Sequence, residues 1–76
     1  MEALVRFLAG ALVDKPDEIR VSRVEGDDSV VYELHVAPEE LGRVIGRRGR
    51  TARAIRTVVR AAQPRGEKPV HVEIVD

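Results

Sequence analysis

The sequence predicts an α+β domain in the order α-β-β-α-α-β, with three helices on one face of a three-stranded sheet. Three observations carry this reading. Apolar residues recur at helical spacing near the amino terminus and again over 50–62. Apolar and polar residues alternate over 30–36 and 70–74, as strands with one buried face require. Segments rich in glycine, proline and aspartate separate these periodic stretches. Seventy-six residues make one domain, 1–76, whose core is thin because a chain this short buries only about 60–65% of its unfolded surface.

The elements follow in order. Leu4, Val5, Leu8, Ala11 and Leu12 define an amphipathic first helix, weakened by Gly10 and stopped by Asp14-Lys15-Pro16-Asp17. Ile19 to Glu25 alternates roughly and reads as a first strand. Gly26-Asp27-Asp28-Ser29 is turn chemistry, and Val30 to Val36 is a second strand with Val30, Tyr32, Leu34 and Val36 on one face. Ala37-Pro38-Glu39-Glu40 opens a short helix, with proline near its first turn and two acids at its positive end. Leu41, Val44 and Ile45 supply its apolar side. After Gly46-Arg47-Arg48-Gly49, a longer helix spans about Arg50 to Ala62, with Ala52, Ile55, Val58, Val59 and Ala62 facing the core. A loop from Gln63 to Pro69 leads to a last strand carrying Val70, Val72 and Ile74.

Composition narrows the function. There is no cysteine, and His35 and His71 lie far apart, so no metal site, catalytic thiol or cofactor is expected. The apolar stretch Ala3 to Val13 contains Arg6, is too short to span a bilayer, and lacks the cleavage pattern of a signal peptide. A soluble, unprocessed protein is expected. The net charge of zero conceals a division. Residues 41–66 hold eight arginines and no acid, leaving five bases and all 13 acids to the other fifty residues. Such separation gives one small domain a face for a polyanion.

The segment Gly46-Arg47-Arg48-Gly49 carries the chemistry. Glycine permits positive φ and close backbone approach, and the helix that follows presents unpaired N–H groups at its positive end. Arg47 and Arg48 add charges in the bidentate geometry that suits phosphate. Taken alone the pattern is weak, since Gly46 capping one helix and Gly49 closing a turn would look the same.

Context sharpens it. The run from Val44 to Ile55 reads V-I-G-x-x-G-x-x-x-x-x-I, which together with the element order resembles the KH domain in its bacterial, type II arrangement. Leu12 to Glu18 and Gly46 to Val59 resemble, more narrowly, the small single-KH RNA-binding proteins of the KhpA family, and the likeness covers essentially the whole chain. The resemblance implies binding of single-stranded RNA, with about four nucleotides held by a GxxG turn. It also implies a cytoplasmic RNA chaperone or post-transcriptional regulator, linked in some lineages to cell-shape regulation. The implied partners are single-stranded RNA and either a second copy or a larger multidomain KH protein of the KhpB/Jag type. Carried over by position, the clamp is Gly46, Arg47, Arg48 and Gly49. Val44 walls the groove, Ile45 and Ile55 belong to the core, and Arg43, Arg50 and Arg53 flank the phosphates. Arg56 and Arg60 read equally well as contacts or as a solvated helix face.

The remaining candidates read blandly. Tyr32 alternates with Val30 and Leu34 and belongs in the core; Phe7 reads as packing on the first helix. Two aromatics are too few for a stacking platform. Glu39 and Glu40 read as dipole complements rather than a catalytic pair, and no enzyme activity is expected. Arg20, Ser22, Glu33, His35, His71 and Glu73 make an uncovered sheet face tolerable. Ala52, Ala54, Ala61 and Ala62 place a self-association contact on the last helix. Two alternatives stay open: a protein-interaction adaptor whose RNA contact is incidental, and a helix-turn-helix duplex binder, which the strands fit poorly.

Overall fold

In the computed structural model, which describes residues 1–76, all six expected elements are present in the expected order. Helix α1 (Glu2–Gly10) places Val5 and Ala9, four residues apart, against the core. It ends short of Leu12 because its last turn tightens. The Leu12 N–H donates to the Ala9 carbonyl at 3.0 Å, three residues back rather than four. Leu8 and Leu12 still pack against the core in part, and Val13 is buried. Phe7 does not behave as expected: it is 72% exposed, since Val5 and Ala9 take the buried stripe.

Strand β1 (Arg20–Glu25) runs antiparallel to β2 (Val30–His35), and β2 runs parallel to β3 (Val70–Ile74), in the order β1-β2-β3. The hairpin closes with the Gly26 N–H donating to the Ser29 carbonyl at 2.8 Å. Register places Arg23, Tyr32 and Val72 side by side on the helix-bearing face, and Ser22, Glu33 and Glu73 on the other. Tyr32 lies in the core as its alternation requires. The helix-free face carries Arg20, Ser22, Glu33, His35, His71 and Glu73, none of them buried. Helices α2 (Leu41–Ile45) and α3 (Arg50–Ala62) cross from β2 to β3.

Leu34, Val5, Val44 and Val59 are sealed from solvent, one each from β2, α1, α2 and α3, and burial of such side chains contributes about 1.5–3 kcal/mol each. In α3 the buried set is Ala52, Ile55 and Val59. Val58 and Ala62, expected inside, are exposed, because the helix meets the sheet through a narrower stripe than its apolar content suggests.

Glu40 is the one buried charged residue, at 4% exposure. Its Oε1 accepts from the Asp14 N–H at 2.5 Å and its Oε2 from the Lys15 N–H at 3.2 Å. It is therefore a clamp on the α1–β1 connection, not a dipole complement. A carboxylate is suited to this, being an acceptor with two oxygens that satisfies two amides at once. Its neighbour Glu39 stays in solvent, where a bond from the Lys15 ammonium at 2.6 Å holds its carboxyl below the usual range. Lys68 and then Arg23 do the same for Glu25. Whatever stability these exposed pairs contribute is present at neutral pH and lost on acidification, and it is small. No helix is long and apolar enough to cross a membrane.

Candidate nucleic-acid interface

Helix α2 stops where Gly46 swings to φ 75°, ψ 169°, a region open essentially to glycine alone. The Gly46 N–H still bonds the Gly42 carbonyl at 2.8 Å, so the helix is completed before the chain leaves it. A Cβ on Gly46 would stand 2.2 Å from Thr51 Oγ1 and 2.8 Å from the Thr51 backbone nitrogen. Arg47–Gly49 then forms a single 3₁₀ turn, closed by the Gly49 N–H to the Gly46 carbonyl at 3.1 Å. Arg48 (φ 58°, ψ 26°) and Gly49 (φ 74°, ψ 15°) are left-handed in succession, and Arg48 is the only non-glycine residue with positive φ. For an arginine this conformation costs about 1–2 kcal/mol, and it holds the side chain out from the turn.

Arg47, Arg48 and Arg50 are exposed and make no ion pair or side-chain hydrogen bond within the protein. The start of α3 receives no side-chain cap, and its first amide, the Arg50 N–H, is taken up by the Arg47 carbonyl. Arg53 braces the turn from behind, with Nη2 donating to the Arg48 carbonyl at 3.1 Å. The structure thus brings together Gly46, Arg47, Arg48, Gly49, Arg50 and Arg53. It sets two expected site residues apart. Arg43 turns toward Asp14, 3.0 Å away, on the side of the α1–β1 connection. Val44 is fully buried in the core and cannot wall a groove, whereas Ile45, expected inside, is 37% exposed. The reason is helical spacing: Leu41 and Val44 share the inward face, and the next residue rotates outward beside the turn.

Helix α3 separates its two flanks. Gly49, Arg53, Arg56 and Arg60 follow one another at steps of four, three and four, placing a basic stripe along one side. That side meets the outer edge of β3, where Arg56 Nε donates to the Val72 carbonyl at 3.0 Å. Gln63 bonds the same edge, its Oε1 accepting from the Val70 N–H at 3.1 Å. Arg56 is thus an exposed residue of this helix flank, tethered to the sheet. The opposite flank is apolar. Thr51, Ala54 and Val58 line a shallow cleft of about 230 Å³ with Leu8, Ala11 and Leu12 of the α1 end.

Sequence reasoning missed Thr51, which packs directly beneath Gly46, and the outward position of Ile45. The first had no local signal, because a threonine in a first helical turn looks like any other. The second was available in the three-residue spacing of Leu41 and Val44.

Comparison with known proteins fits this geometry. A family model described as the KH domain of KhpA/KhpB matches residues 2–74. An RNA-binding protein KhpA from Clostridium perfringens is 51% identical over 75 residues, 99% of this chain and 100% of the relative. The proteins of the same name from Clostridium acetobutylicum and Caldanaerobacter subterraneus are 52% and 51% identical with the same coverage. Among solved structures, Aquifex aeolicus Era superposes with a TM-score of 0.67 at 23% identity. That likeness covers 97% of this chain but 30% of Era, and it speaks for the fold alone.

Proposed function

The chain belongs to the KhpA/KhpB family of KH domains, and from that footing we propose that it binds single-stranded RNA by clamping the sugar–phosphate backbone at the Gly46–Gly49 turn. The family is one of RNA-binding rather than catalytic domains. One observation supports the clamp above the others. Three exposed guanidinium groups without protein partners, Arg47, Arg48 and Arg50, surround a turn whose two left-handed residues open its backbone to close approach. Phosphates seated there meet bidentate donors at the positive end of α3. The basic flank of α3 continues from the turn toward the β3 edge and offers a path for the rest of the strand. Ile45, in place of Val44, is the apolar wall beside it. A role as RNA chaperone or post-transcriptional regulator accords with a short groove that reads few bases.

The test is fluorescence anisotropy with a labelled single-stranded RNA across a salt series. With about three phosphates neutralised, log affinity should fall against log salt with a slope of about −2. A slope near zero, or equally strong competition by duplex DNA, would remove the clamp.

A second reading, that the domain also pairs with another KH protein or with a copy of itself, is favoured by the apolar flank of α3. Val58 is 43% exposed there beside Ala54, in a cleft continuous with Leu8 and Leu12. Val58→Asp should then convert a dimer to a monomer in light scattering while leaving RNA affinity within about twofold, since Val58 lies more than two helical turns along α3 from Gly49. An unchanged mass, or a monomeric wild type at high micromolar concentration, argues against self-association.

A further inference from the structure

Arg56 is set apart from the other arginines of the basic flank by how it is held. Its Nε donates to the outward carbonyl of Val72 on the edge strand, which orients the guanidinium plane before any ligand arrives. Its two terminal nitrogens make no hydrogen bond within the protein. They sit over a cleft of about 290 Å³ lined by Arg56, Arg60, Val70, His71 and Val72. Arg60, one turn further along α3, lines the cleft beside it and makes no ion pair or side-chain hydrogen bond. Counted along the helix, Arg56 lies about 9 Å from Arg50 at the turn, within reach of a strand whose backbone is clamped there.

We infer that Arg56 selects, among the bases of a bound RNA, those presenting two adjacent acceptors, guanine or cytosine, over adenine and uracil. The inference rests on the RNA-binding reading above and adds a residue that determines specificity. An arginine has donors only, so a fixed fork of two N–H groups needs two neighbouring acceptors. Guanine supplies them at O6 and N7, and cytosine at O2 and N3, edges that an unpaired strand leaves open. Adenine and uracil interleave a donor between their acceptors, and one arm of the fork would face an N–H. Arg47, Arg48 and Arg50 have no such tether and suit phosphate, which presents oxygens in many directions. The planar guanidinium of Arg60 is a surface on which the selected base can stack.

The experiment titrates the full chain, at one salt concentration, with short oligouridines in which every second residue is uridine, adenosine, guanosine or cytidine. The guanosine or the cytidine series should bind about tenfold more tightly than the adenosine and uridine series. Which of the two leads identifies the edge that is read. Arg56→Lys, which keeps the charge and loses the fork, should abolish that preference while affinity for the adenosine and uridine series holds. Base analogues repeat the test without a variant. If guanosine leads, inosine should replace it without loss and 7-deazaguanosine, lacking the N7 acceptor, should not. If cytidine leads, removing its exocyclic amino group should leave affinity intact. Equal affinity of the wild type for all four series, with salt dependence intact, overturns the inference and leaves the clamp standing. Arg56→Lys weakening all four alike makes Arg56 a phosphate contact and overturns it too. Failure of the wild type to bind any series removes the clamp, and the inference with it.

Discussion

Gly46→Ala should lower stability by about 3 kcal/mol or more, a fall in Tm of about 15 °C for a domain of this size, whereas Gly49→Ala should cost about 1 kcal/mol. The two glycines are symmetric in the sequence motif and unequal in space. At Gly46 the backbone lies at φ 75°, ψ 169°, and an added Cβ meets Thr51 Oγ1 at 2.2 Å and the Thr51 nitrogen at 2.8 Å. At Gly49 the conformation is ordinary left-handed helix and nothing stands within 4 Å of an added Cβ. Combining Gly46→Ala with Thr51→Ala removes the hydroxyl from the collision but not the backbone nitrogen, so rescue should be partial. Thermal melts of the four proteins decide the matter. Equal melting temperatures for the two single glycine variants would show that the turn relaxes freely and that Thr51 does not fix it.

The second large effect is on binding. Arg47→Asp with Arg48→Asp should leave the melting temperature nearly unchanged and reduce affinity for single-stranded RNA by more than about a hundredfold. Neither side chain has a partner within the protein, and substitutions at such surface positions usually stay within about 0.5 kcal/mol. Aspartate also tolerates the left-handed backbone of position 48 better than most residues. Each hydrogen bond to a charged group contributes about 1.5–3 kcal/mol, so losing two accounts for a hundredfold before repulsion is added. A folded variant that still binds within a few-fold of the wild type would move the site off the turn and onto the flank of α3.

Where the sequence spoke clearly, a local cause can be named. Helix α3 was legible at both ends because Gly49 opens it and Gln63 leaves it for an extended conformation ahead of Pro64. The turn was legible because two glycines three apart, flanked by apolar residues, end one helix and open the next. What escaped depends on residues distant in the chain. Glu39 and Glu40 are indistinguishable as a sequence pair. Only the docking of the 14–15 backbone against one of them decides that Glu40 is buried and Glu39 is not. The ion pair that turns Arg43 toward Asp14 likewise joins residues far apart in the chain. The burial of Val44 and the exposure of Ile45, by contrast, could have been read locally from the three-residue spacing of Leu41 and Val44. Val58 and Phe7 are large and apolar yet exposed, since a three-stranded sheet has no room for a second stripe from either helix.

The bonds from Arg56 and Gln63 to the rim of β3 have a consequence for how the protein behaves when concentrated. An open strand rim is a template on which another chain can add itself, and repeated addition leads to fibrils. Here a foreign strand seeking the Val72 carbonyl or the Val70 amide must first displace a side chain already bonded there. At this rim, crowding should therefore disfavour the strand-to-strand stacking that an open edge invites.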